Sequence, residues 1–228
     1  MEALSTMNYL SLVFIIPFAV LLPLYIKAEN QGGFKKPTTL KVLLSSLCAL
    51  CALVGYVLWG IHIDASRVLI VCALASAILG DYYLQFIQLD AKKYTRGLEF
   101  FSLTQFLFIV FLCALHGVAW PEILITLAIT ASALAIIKQQ KWQLGDTKGP
   151  LMVYLVLLVF MTSKAVLALF GDGGASVSNS LFAAGAVCFI VSDALLGFSN
   201  YQTKNSFGSL HLIAYFCALL LIALSVSF

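Results

Sequence analysis

The sequence predicts an all-α, polytopic membrane protein of eight transmembrane helices, and three observations carry that prediction. Of its 228 residues 62% are hydrophobic and only 10% charged, against about 25% charged in a typical soluble domain. The mean hydropathy is +1.02, more apolar surface than a soluble core of this length can hide. The apolar residues fall in runs of about 17–25, the length that crosses a bilayer as a helix. The basic residues sit in every second connection, as they do in a chain that crosses back and forth.

In order, the runs cover residues 8–26, 39–59, 67–88, 98–116, 121–137, 150–170, 179–198 and 208–227. The first begins within "MEALSTMNYLSLVF", which has no basic segment and no small-residue cleavage site, so it reads as a retained span. The second opens after "KKP" and the sixth after "KGP". Between runs lie short punctuated stretches, "ENQGGFKKP", "QLDAKKYTRG", "KQQKWQLGDTKGP" and "GDGGASVSN". No linker divides the chain, so residues 1–228 read as one transmembrane domain.

Charge sets the expected orientation. Lys27, Lys35, Lys36 and Lys41 follow the first run, Lys92, Lys93 and Arg96 the third, Lys138, Lys141 and Lys148 the fifth, and Lys204 the seventh. These are eleven of the thirteen basic residues. Arg67 falls on the opposite face, and Lys164, inside the sixth run, is expected to snorkel. The positive-inside rule then puts both termini on the non-cytoplasmic side, in the cytoplasmic membrane if the source is bacterial. A net charge of +3, dispersed along the chain, leaves nucleic acid no basic patch; the expected partners are lipids. Cys48 and Cys51 form a C-x-x-C with no second pair, and inside an apolar run they read as packing residues. His62 and His116 belong at one face and His211 at the other, so they cannot share a metal. No metal and no cofactor is expected.

Two carboxylates break the apolar pattern, Asp81 in "AILGDYYLQF" and Asp193 in "CFIVSDALLGF". At a helix centre such a residue costs roughly 2.5–3.5 kcal/mol on insertion scales. Asp81 lies about five to seven residues before the basic-loop end of its run and Asp193 about five before that of its own, both roughly 8–10 Å deep. They recur at an offset of 112, and Pro37 and Pro150 at 113, so two parallel four-helix repeats are a candidate organisation. Each Asp alone could be a packing device. Two at one depth suggest an acid/base pair, since an apolar surrounding and a neighbouring like charge keep one carboxyl protonated while the other stays ionised. His211 is close in depth and joins them as a candidate. Lys36 and Lys41 lie at the inner mouth, where either is a candidate for a lipid phosphate, with simple leaflet contact favoured for Lys41.

The segments "KPTTL", "LGDYYL", "GLEFFSLTQFLFI", "PLMVYLVLLVFM", "GAVCFIVSDALLGF" and "YFCALLLIA" resemble the YhhN family of membrane proteins over residues 36–222. That resemblance implies an eight-helix lysoplasmalogenase, which hydrolyses the vinyl ether of a lysophospholipid to a fatty aldehyde and glycerophospho-ethanolamine or -choline. It implies catalytic roles for Asp81 and Asp193, and substrate contacts for Lys36, Tyr154, Ser192 and Tyr215. The chain departs from the family pattern at Thr104, Gln105 and Phe108, where an Ala-His pair and a Tyr are usual, and at Leu219, usually Gln. Gln105 can replace a hydrogen bond of the histidine but not a proton shuttle. The implied chemistry needs no cofactor: proton delivery to the β carbon, then water on an oxocarbenium ion. The alternative is a proton-coupled small-molecule or lipid transporter built on the same two aspartates.

Overall fold

A computed structural model describes residues 9–60, 64–86, 89–142, 144–171, 174–201 and 208–228; His62 and Lys204 lie outside them. Eight α-helices follow one another in the described residues: α1 (Ile15–Asn30), α2 (Lys35–Gly55), α3 (Val68–Leu84), α4 (Ala91–His116), α5 (Trp120–Gln139), α6 (Lys148–Leu167), α7 (Val177–Tyr201) and α8 (Leu210–Ser225). Counted with the helical turns that adjoin them, seven of these segments are long and apolar enough to cross a membrane, the first over Leu10–Asn30; α8, Leu210–Ser225, is the shorter apolar helix. Its shortness goes with its place, since ten of its residues are buried inside the bundle.

The helix ends explain where the apolar runs misplace a boundary. α4 begins at Ala91 rather than 98, because Asp90, extended at the N-cap, accepts hydrogen bonds from the amides of Lys92 (3.0 Å) and Lys93 (3.2 Å). Its first two turns, "AKKYTRG", are polar and therefore invisible to hydropathy. α2 likewise starts at Lys35, with Pro37 inside its first turn where the ring is tolerated. Arg67 crosses to the end of α8 and donates to the carbonyl of Val226 at 2.7 Å, satisfying a carbonyl that the helix itself leaves open.

Lys164 does not snorkel. It is fully buried on α6, 3.1 Å from Glu122 in the first turn of α5, and it donates to the carbonyl of Gly117. A buried ammonium needs such a counter-charge, and it pins the end of α5 to α6 at the face opposite the basic loops.

Neighbouring helices pack in the same pattern in both halves. α1 packs on α2, α2 on α3 and α3 on α4; α5 packs on α6, α6 on α7 and α7 on α8. Across the halves α4 meets α6, and correspondingly α8 meets α2. This is the arrangement that two parallel four-helix repeats produce. In each half the last two helices approach closest. Ser76 donates to the carbonyl of Phe100 (2.8 Å) and Thr104 to that of Ala73 (3.2 Å), gluing α3 to α4. At Gly185 a Cβ would stand 3.0 Å from the carbonyl of Ala218, so only glycine lets α7 and α8 come this near.

Candidate active site

Asp81 sits one turn from the end of α3 and is completely buried. Three donors converge on it. Lys41, from α2, places its ammonium 3.2 Å from Oδ1; Tyr215, from α8, donates to Oδ2 at 2.8 Å; and Ser45, one turn after Lys41, donates to the same oxygen. The i, i+4 spacing of Lys41 and Ser45 puts both on one face of α2. The ammonium also lies 5.8 Å from the centre of the Tyr215 ring.

Asp193 occupies the matching place on α7 but has a poorer set of partners. Tyr154 of α6 donates to its Oδ2, and no described cation forms an ion pair with it. Tyr154 follows Lys41 by 113 residues, the same offset as Pro150 from Pro37. Each half therefore supports its aspartate from its own second helix, by a lysine in one case and a phenol in the other. Asp193 is half-buried and within electrostatic reach of both Lys41 and Asp81.

Both carboxylates border one cavity of about 810 Å³, the size of a typical ligand pocket. Its mouth is formed by helix ends on the basic-loop side, including Glu29, Gln85, Tyr94, Trp142 and Ser209. On the α5 side its lining is apolar, with Ile129, Ala133, Ile136 and Ile137, and Leu158 of α6. Towards the opposite face the bundle is filled by rings: Phe182 lies 5.4 Å from Phe108 and 5.7 Å from Phe111.

Phe101 of α4 stands between the two tyrosines, edge-on to Tyr154 (6.2 Å) and to Tyr215 (6.0 Å). Gly80 makes room for it, since a Cβ there would lie 2.7 Å from the Phe101 ring. Gly80→Ala is thus expected to push the ring into the site, costing about 1–3 kcal/mol of stability by overpacking. A thermal melt in detergent checks the cost.

The other sequence candidates are distributed unevenly. Tyr154, Tyr215, Ser192 and His211 all border the cavity. Ser192 donates to the backbone carbonyl of His211 at 2.8 Å, tying α7 to α8, and the His211 ring keeps Nδ1 without a partner. Gln105 is fully buried next to Tyr154 but does not border the cavity. Lys36 is exposed in the first turn of α2 and absent from the lining, since five residues before Lys41 it falls on another face of the helix. The lysine at the site is Lys41, which a leaflet contact does not describe. Cys48 and Cys51 are free and buried in the core, as packing residues are, and the described residues contain no group of His, Cys, Asp and Glu placed to hold a metal. Tyr25, Glu29 and Ser45 also line or support the site, and of these only Ser45 carries a signal in the sequence, its spacing from Lys41.

Compared with known families, the chain matches the YhhN family over residues 35–226. No curated protein and no solved structure matches it.

Proposed function

The chain belongs to the YhhN family, and from that premise we propose that it is a membrane-embedded hydrolase that cleaves the vinyl ether bond of lysoplasmalogens. The observation that carries the reading is the pair of carboxylates on one lipid-sized cavity, each held by a different partner set. The apolar lining on the α5 side suits an alkenyl chain, and the polar mouth suits a glycerophospho head group. The phenylalanine packing beyond the carboxylates favours hydrolysis over transport, since a carrier needs a path to the other face.

The partner sets suggest the division of labour. Asp81, facing an ammonium and two hydroxyls, is the carboxylate that stays ionised. Asp193, with one phenol and no contacting cation, is the proton donor. In this account Asp193 delivers its proton to the β carbon of the vinyl ether, leaving an oxocarbenium ion at the carbon bearing oxygen. Asp81 stabilises that cation and takes a proton from the water that adds to it. The hemiacetal then collapses: Asp81 returns its proton to the departing ether oxygen while Asp193 takes the hydroxyl proton. Aldehyde and alcohol leave, one water is consumed, and both carboxyls regain their starting states. Two carboxylates handle an oxocarbenium in glycoside hydrolysis in a comparable way.

The test is purified protein in detergent with a 1-alkenyl lysophospholipid, followed by aldehyde detection. The saturated 1-alkyl analogue, which cannot be protonated to an oxocarbenium ion, serves as control. Aldehyde from the first and none from the second is the expected result. No aldehyde from either, with a folded protein, would reject the activity.

A further inference from the structure

The charge inside the cavity does not balance. Three carboxyl groups border it among the described residues, Glu29, Asp81 and Asp193, against a single lysine, Lys41, and with Asp193 holding its proton the surplus anion is Glu29. Lys41 is already matched by Asp81. Glu29, near the end of α1, forms no ion pair among the described residues, and its Oε2 is closed off from solvent without a hydrogen bond. One turn earlier stands Tyr25, a completely buried residue whose hydroxyl is closed off from solvent and faces Glu29, Gln85 and Asp81 without a well-formed hydrogen bond to any of them. A half-buried carboxylate with one oxygen closed off and no counter-charge carries a desolvation penalty that something must offset. A cation entering the cavity would do so.

We propose that Glu29 and Tyr25 form a seat for the cationic group of the substrate, an ammonium such as ends an ethanolamine or choline head group. The inference rests on the hydrolase reading for the identity of the lipid, but its own evidence is the unmatched charge. Position agrees with it. Glu29 is about 6 Å nearer the mouth than Tyr25 along α1, and Tyr25 is the residue that senses Asp81. A lysolipid whose ether oxygen lies at the carboxylates extends its head group towards the mouth, and the terminal ammonium reaches furthest. The rings of Tyr94 and Trp142, which border the same cavity, offer faces suited to a desolvated cation.

Two probes separate this proposal from the reaction itself. Binding of non-hydrolysable 1-alkyl lysophospholipids is measured by native mass spectrometry, one bearing phosphocholine and one bearing phosphate alone. The intact protein is expected to prefer the phosphocholine form by about tenfold, the effect of one well-placed charge contact. Glu29→Gln removes that preference, and Glu29→Lys reverses it. In turnover, Glu29→Gln lowers kcat/KM about tenfold for the ethanolamine substrate and raises it for the amine-free alkenyl glycerophosphate, whose phosphate no longer meets a like charge. Equal losses on both probes, or a preference that survives Glu29→Gln, overturn the seat. Should the protein bind with this preference but release no aldehyde, the hydrolase reading fails and the seat stands.

Discussion

Asp193→Asn is expected to lower vinyl ether hydrolysis at least about a thousandfold, near 4 kcal/mol of barrier. The amide keeps the shape of the side chain and can still accept from the Tyr154 hydroxyl, so the fold and lipid binding should persist. What disappears is the acidic proton, and no other described group bordering the cavity supplies one in that position. His211 keeps an Nδ1 without a partner at the cavity wall, but it stands on α8 rather than on α7 with Asp193. The measurement is single-turnover aldehyde release at saturating substrate, beside a melt and a lipid-binding titration. Activity within tenfold of the unsubstituted protein would remove Asp193 from the chemistry.

The second large effect belongs to the Lys41–Asp81 pair. Asp81→Asn removes the anion that steadies the oxocarbenium and leaves Lys41, whose side chain is 12% exposed, without its counter-charge. Breaking a buried pair from one side costs about 3–5 kcal/mol of stability, so this variant should lose turnover by about a hundredfold or more and also melt earlier. Lys41→Met should lose turnover as well, because an unmatched Asp81 would take up a proton. The double variant Lys41→Met/Asp81→Asn is expected to regain most of the melting temperature and none of the activity. That split distinguishes an electrostatic role from a packing role; if the double variant recovered turnover together with stability, Asp81 would be a structural residue.

Much of this architecture was legible because it follows from solvent alone. Eight apolar runs and a basic residue bias in alternate loops are what a bilayer demands, and the described helices fall on those runs. The polar start of α4 was not legible from hydropathy, since "AKKYTRG" carries no apolar signal; its cue is Asp90 as an N-cap. The two aspartates stood out because a carboxylate in an apolar run needs a reason. Lys41 did not, because a lysine at the mouth of a helix ordinarily meets lipid phosphate, and only the fold shows it turning inward to Asp81. The repeat held the clue: carrying Lys41 forward by the offset that relates Pro37 to Pro150 lands on Tyr154. Lys164 was misread for the converse reason, as its partner Glu122 lies 42 residues earlier and nothing local announces it. Glu29 was passed over because it lies in a loop-like stretch, "AEN", whose inward face depends on how α1 packs.

The most direct test of paired-carboxylate hydrolysis is the fate of solvent atoms. With the reaction run in deuterium oxide enriched in heavy oxygen and product trapped as it forms, proton delivery to the β carbon should leave one deuterium on the carbon next to the aldehyde. The glycerol hydroxyl should keep its original light oxygen, because water adds on the alkenyl side. An aldehyde without that deuterium, or heavy oxygen in the glycerol hydroxyl, would contradict the mechanism at its first bond.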